Sequence, residues 1–326
     1  MSRTYRHQSL PHPYKNTNLA PTKQIIPMTD FKTKSFLASL LLKMRDAEEY
    51  KNYKYLARLN RIAKPVALDI PFKPAYTFKH SGNAGDLIYS LPAARKLAGD
   101  GKADYLLQLG QQGHYGKKSH PLGGVMLNEK MLQMLQPLLT AQSYIASCQP
   151  YTGQAVDYDF DLIRSFPFPN SRGNISRWYF YLFATSADLA MPWLQVKADT
   201  QFNDHLVIAR SQRYRAPGIS YAFLKKYSKI AFVGVEEEWK EMKEAIPGIA
   251  YHPVSDFLQL ASVIAGSKLF IGNQSFPFSL AEGLKTNRLL EVYHLCPNVN
   301  VEGQGANDFC YQPQFERMVK NLYEGD

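Results

Sequence analysis

HSGNAGDLIYSLPAARKL, His80–Leu97, is the stretch on which the reading of the fold turns. It begins at the end of AYTFKH (75–80), which reads as a strand. SGNAGD then reads as a loop and LIYSLPAARKLAG as a helix. Gly82 and Gly85 let the backbone turn tightly and approach a ligand. N–H groups at the start of the following helix are suited to an anion. The stretch is neither G-x-G-x-x-G nor a Walker A loop, since no GK[ST] follows, and this disfavours a nicotinamide or ATP site.

The same alternation continues outward. ADYLLQLG (103–110) predicts a strand, EKMLQMLQPLLTAQ (129–142) a helix and AVDYDFDLI (155–163) another strand. SRWYFYLFATSADLAMPWL (176–194) predicts an aromatic helical segment lining the junction between two halves. A second series opens near Asp204, with strands at HLVIARS, KIAFVGV, KLFIGN and RLLEVY. Helices are expected at YAFLKKYS, EEEWKEMKEA, DFLQLASVIAGS and SLAEGLKT, with a last one at QPQFERMVKNLYEG. Alternating strands and helices imply an α/β fold with parallel sheets covered on both faces. The expected division is a basic arm with helices (1–64), a first α/β half (65–200) and a second (201–326).

The chain has 326 residues and a net charge of +10, but the charge is uneven. Residues 1–64 carry 13 Lys/Arg against 4 Asp/Glu, while the remainder is nearly balanced. A basic arm points to an anionic partner, nucleic acid or a peripheral membrane surface, with a solvated tail as the plain alternative. Residues 1–30 are polar and broken by four prolines, as in a loosely docked arm. Residues 31–62 lack Pro and Gly and space Phe36, Leu37, Leu40, Leu41 and Met44, then Tyr55, Leu56, Leu59 and Ile62, helically. One or two amphipathic helices are expected there, with Asp30 as N-cap. Three cysteines without a CxxC pair argue against a disulfide framework or a zinc site. The N-terminus lacks the apolar core of a signal peptide, and FLASLLL (36–42) is too short to cross a bilayer. A cytoplasmic protein is expected.

Asp86 stands at the carboxyl edge of the first strand, where open α/β sheets bind ligands. A general base acting on a hydroxyl would sit there. Asp is also a good helix N-cap, and the residues alone leave both roles open. GDLIYSLPAARKL resembles the opening motif of heptosyltransferase-like glycosyltransferases: Gly-Asp, an apolar turn, then Leu-Pro-Ala with Pro92 inside the helix. The resemblance spans most of 75–295, and the N-terminal arm has no counterpart in it. It implies a GT-B type fold, two Rossmann-like domains facing a central cleft. It also implies inverting, metal-independent transfer from a nucleotide-sugar, with no cofactor, to a glycan or lipopolysaccharide-type acceptor. Asp86 falls on that family's proposed catalytic base.

The donor side is expected in the second half. Arg210, Ser211 and Arg213 follow its first strand, where guanidinium forks and a hydroxyl suit phosphate oxygens. Asn273, Gln274 and Ser275 lead from a strand into a helix, a layout for a diphosphate. This resembles the family's donor-phosphate loop with changes: Asn273 replaces an Asp, Ser275 a Gly, and Ser279 stands near a His, with one extra residue in the loop. Those changes bear on the identity of the sugar. Glu236, Glu237 and Glu238 favour a helix N-terminus; the resemblance implies that one of them, with Glu236 as the expectation, reaches the donor ribose or base. Glu282 either holds a ribose hydroxyl or is a solvated helix residue. His80, Asn83 and Lys117 are the expected acceptor contacts, Lys117 lying in the Gly-rich GQQGHYGKKSHPLGG (110–124). Asp157, Asp159 and Asp161 alternate along one expected strand face but lack the EF-hand pattern, so no metal site is expected. Rival functions are transfer to a nucleic-acid base, a non-catalytic binding protein with the same fold, and a nucleotide-sugar epimerase.

Overall fold

The structure is a computed structural model that describes residues 31–63, 66, 70–113, 124–167 and 169–325. The chain forms two compact units, one ending at Asn60 and the other starting at Arg61.

The first unit contains α1 (Phe36–Arg45) and most of α2 (Ala47–Ala63). Ser35 caps α1, its Oγ accepting from the Ala38 N–H at 3.3 Å. The expected cap, Asp30, lies outside the described residues. Asp46 ends α1 in an extended conformation and starts α2, its carboxylate accepting from the N–H groups of Glu48 and Glu49 at 3.1 and 2.9 Å. One short acid thus divides what the apolar spacing left as one helix or two.

The second unit holds two parallel sheets. The first is built from β1 (Ala75–His80), β2 (Lys102–Leu107), β3 (Ile145–Pro150) and β4 (Tyr158–Asp159), in the order β3-β2-β1-β4. Helices α3 (Ala84–Ala98) and α4 (Glu129–Thr140) accompany it, and Pro92 and Pro137 lie inside them. Phe78 on β1 stacks between Tyr105 and Tyr158, with centroids 5.8 and 5.0 Å away. The strand expected over 155–163 is only two residues long and passes into a 3₁₀ turn, Phe160–Ser165. Its three acids explain why. Asp157 takes the Thr77 N–H at 2.9 Å, Asp159 the Asp161 N–H at 3.0 Å and Asp161 the Ser81 N–H at 2.9 Å. Lys73 pairs with Asp157, and Lys79 with Asp159 and Asp161. These carboxylates lash the segment to β1 instead of lining one open face.

The second sheet comprises β5 (Leu206–Ala209), β6 (Ile230–Phe232), β7 (Ala250–Tyr251), β8 (Leu269–Asn273), β9 (Arg288–Glu291) and β10 (Ala306–Phe309). Its order is β10-β9-β8-β5-β6-β7, all parallel. The four inner strands are buried throughout, which is why they read as short, continuous and mostly apolar runs. Helices α6 (Glu236–Ala245), α7 (Phe257–Gly266), α8 (Phe276–Leu284) and α9 (Gln312–Val319) cover it, α9 passing into a wide turn at Lys320–Glu324. The helix expected at 221–228 is a 3₁₀ turn, Ala222–Lys226, closed by the Tyr227 N–H on the Leu224 carbonyl.

The two sheets are joined through helices. α3 packs on α8 and on α5 (Ile175–Leu182), and α4 packs on α7. The aromatic stretch after α5 is irregular rather than helical. Trp193 and Leu194 both donate to the Gly283 carbonyl at 3.0 Å, and Asp199 donates to Ser262 at 2.9 Å.

Candidate functional site

Asn83, not Asp86, is the N-cap residue of α3. Asp86 is the third residue of the helix, and its carboxylate accepts from the backbone N–H and side-chain amide of Asn83. This is the return half of a capping box, so Asp86 supports the helix start while one side of it faces a pocket. Burial raises the pKa of Asp86, and the nearby guanidinium groups of Arg164 and Arg213 pull it back only in part. Gly82 serves close approach rather than a left-handed turn. A Cβ there would fall 2.7 Å from the His80 ring, 3.0 Å from Arg164 and 3.1 Å from the Asp86 carboxylate. Gly85 faces the start of α8, but a Cβ there would lie 3.7 Å from Phe276 Cα, an ordinary contact, so close approach does not require glycine at that position.

His80, expected to touch the acceptor, is buried. Its Nδ1 accepts from the Gly82 N–H at 3.0 Å, which leaves Nε2 to donate to the Tyr179 hydroxyl at 3.0 Å. Burial lowers its pKa to about 4, so the ring is neutral near pH 7. It is the post behind the Gly82 loop and does not line the pocket.

The pocket encloses about 130 Å³ between the two sheets. From the first half come Asn83, Ala84, Gly85, Asp86, Tyr89, Met126, Met131 and Ile175. The second half contributes Arg213, Tyr214, Gln274, Ser275, Phe276, Asn298 and Val299. Ser275 is the N-cap residue of α8, and its hydroxyl donates to the Asn273 carbonyl at 3.1 Å. The first-turn N–H groups of Phe276 and Phe278 precede the start of intrahelical bonding, which begins with Ser279 on Ser275 at 3.2 Å. One carboxylate, one guanidinium and the N-termini of α3 and α8 therefore share a single cavity.

No family model matches the chain, and no curated protein sequence matches it. Solved structures do. A glycosyl transferase family 9 protein from Veillonella parvula DSM 2008 aligns over 77% of this chain and 89% of its own, at 10% identity and TM-score 0.47. The E. coli ADP-heptose lps heptosyltransferase II aligns over 76% and 97%, at 12% identity and TM-score 0.43. The dodecameric iron-containing heptosyltransferase TibC, solved with ADP-D-beta-D-heptose, aligns over 74% of this chain and 64% of its own, at 12% identity and TM-score 0.48. The chain is similar to family 9 heptosyltransferases.

Several expected donor residues are engaged elsewhere. Arg210 forks onto Glu291, with Nε–Oε2 at 2.7 Å and Nη2–Oε1 at 2.8 Å, and lies over the Tyr221 ring. Glu291 is fully buried and also accepts from Ala216 N–H and the Tyr221 hydroxyl. The Arg210 fork is thus taken up by a carboxylate, not left for phosphate. Asn273 is buried and holds the following loop: its Oδ1 accepts from the Ser211 N–H at 2.9 Å, and its Nδ2 donates to the carbonyls of Ser211 and Arg213. Ser211 turns its hydroxyl to the Arg213 carbonyl at 3.2 Å. Gln274 lines the pocket, but its amide is spent on Cys296, Asn298 and Tyr293. Ser279 is buried against α3 and donates to Phe276. Glu282 is not a solvated residue; it is buried and paired with Lys285 and Arg288.

Glu236 is exposed and pairs with Lys240 at 2.8 Å, one helical turn on. The acid of that run that turns inward is Glu238. Its carboxylate accepts from the Gln212 N–H at 3.1 Å, beside the Arg213 loop, and burial raises its pKa to about 7. The three consecutive acids gave no signal to separate them. Ionised Glu238 opposes folding, so the stability it contributes is complete below pH 4.5 and is lost as pH rises through 7. Glu238→Gln is expected to match the parent Tm at pH 4 and to exceed it at pH 8. Equal melting curves at both values would refute this. Lys117 lies outside the described residues.

Proposed function

We propose that this chain is an inverting glycosyltransferase that moves a sugar from a nucleotide-sugar to a hydroxyl of a glycan acceptor. One observation carries the reading. Asp86 from the first half shares a pocket with Arg213 and the N-terminus of α8 from the second half. The carboxylate and the anion-binding groups thus face a common space, as a two-sided transfer site requires. The GDLIYSLPAARKL motif supports the same assignment.

In this reading Asp86 accepts the proton of the acceptor hydroxyl. The oxygen forms a bond to the anomeric carbon as the bond from that carbon to the donor diphosphate breaks. The electron pair leaves with the diphosphate, whose charge is met by Arg213 and the first N–H groups of α8. Asn273 acts one step back by fixing the loop that carries Arg213. Tyr214, beside it, sits in the left-handed region at φ 54°, a strained position for a tyrosine. The cavity, about 130 Å³, is smaller than the roughly 300–1,000 Å³ usual for ligand sites, so it accommodates only part of a donor.

A thermal-shift panel of nucleoside diphosphates and nucleotide-sugars tests the reading. A ligand at one hundred times its Kd adds roughly 2.7 kcal/mol of stability. Arg213→Ala is expected to weaken that ligand about 10- to 100-fold, the worth of a hydrogen bond to a charged group. A hit unaffected by Arg213→Ala would move the donor out of this pocket.

A further inference from the structure

Helix α1 leaves large apolar side chains in water. Phe36, Leu37, Leu40, Leu41 and Met44 are all exposed, Phe36 by 82% and Met44 by 78%. At 100° per residue these five occupy one continuous arc of about 140°. Leu42, the buried residue of the helix, lies on the opposite side. Isolated exposed leucines are ordinary on a protein surface, but five on one face of ten residues form a patch. Lys43 falls just outside one edge of the arc and Arg45 just outside the other, and Lys32 and Lys34 precede the helix. Among the described residues no helix is long and apolar enough to cross a membrane.

We propose that α1 lies flat in the surface of an anionic lipid bilayer, its five apolar side chains among the acyl chains and its flanking lysines and arginine at the headgroups. Charge selects this occupant. A second copy of the helix would bring Lys43 and Arg45 against like charges. The preceding thirty residues are also basic, with four Lys/Arg against one acid, and make a poor cover for a basic rim. Nucleic acid would satisfy the cations but leave the apolar arc in water. Anionic headgroups over acyl chains satisfy both, and the basic excess of residues 1–64 adds to the attraction.

Flotation of the full chain with phosphatidylcholine vesicles, with and without 30 mol % phosphatidylglycerol (a composition of the order found at anionic membrane surfaces), tests this. The protein is expected to float with the anionic vesicles and to stay behind with the neutral ones. Leu37→Glu/Leu41→Glu, both at exposed positions, is expected to cut partition by roughly tenfold or more. Lys43→Glu/Arg45→Glu is expected to cut it by about fivefold per unit of charge removed. Absence of flotation by the parent overturns the proposal. So does flotation that survives Leu37→Glu/Leu41→Glu, which would assign binding to charge alone. A concentration-dependent dimer that this double variant dissolves, without vesicle binding, would give the face to a second copy and equally overturn it.

Discussion

Asp86→Asn is expected to lower glycosyl transfer by about 10²- to 10⁴-fold, the range of a general base, and to leave a protein at least as stable as the parent. The two effects share one cause. Burial raises the pKa of Asp86, so folding disfavours its ionised form. Such a carboxyl contributes stability that is complete below its unfolded pKa and lost as pH rises through the folded one. At neutral pH the parent therefore bears a cost that the amide does not. Melting at pH 4 and pH 7.5 measures this: the advantage of the variant should grow with pH. Arg164 and Arg213 offset part of that burial and so favour the ionised form, the form that accepts a proton. Turnover within tenfold of the parent would remove Asp86 from the chemistry.

Glu282→Gln is expected to be the most damaging single change to stability, by about 3–5 kcal/mol, the range for breaking a buried ion pair. The Glu282 carboxylate is flanked by the buried cations of Lys285 and Arg288 and accepts from the Glu302 N–H at 3.2 Å. Arg288 is fully buried and also donates to the carbonyls of Thr286, Gln304 and Glu302. Without the charge of Glu282 two cations remain inside the protein with carbonyls and, for Lys285, the Trp193 ring. Chemical denaturation should show the midpoint fall with little change in slope. A variant of parental stability with a weakened donor affinity would instead return Glu282 to the ribose role.

The βα alternation, the Pro92 helix and the buried inner strands follow from local periodicity, and the structure has them where expected. β3, β7 and β10 were not foreseen; β7 has two residues and β10 four, and all three lack a continuous apolar run. At the site, Asp86, Asn83, Arg213, Gln274 and Ser275 line the pocket because strand ends in an open sheet point that way. Arg210 and Asn273 occupy strand ends too, yet are bound by partners 81 and 62 residues away. Nothing local announces Glu291 as the partner of Arg210. Glu282 reads as a helix-surface residue by spacing, and only the packing of β9 against α8 shows that its face is inside. Glu238 has equal neighbours in sequence, and only its contact with the Gln212 N–H in the 211–215 loop distinguishes it.

The proposed transferase holds a nucleotide-sugar in the pocket shared by Asp86, Arg213 and Ser275. Titration calorimetry of the best nucleoside diphosphate from the panel tests it most directly, with the parent, Asp86→Asn and Arg213→Ala compared side by side. The expected result is nearly equal affinity for the parent and Asp86→Asn, since the proposed role of the carboxylate is toward the acceptor, and about 10- to 100-fold weaker binding for Arg213→Ala. Parental affinity in Arg213→Ala, or no nucleoside diphosphate binding to any form, would contradict it.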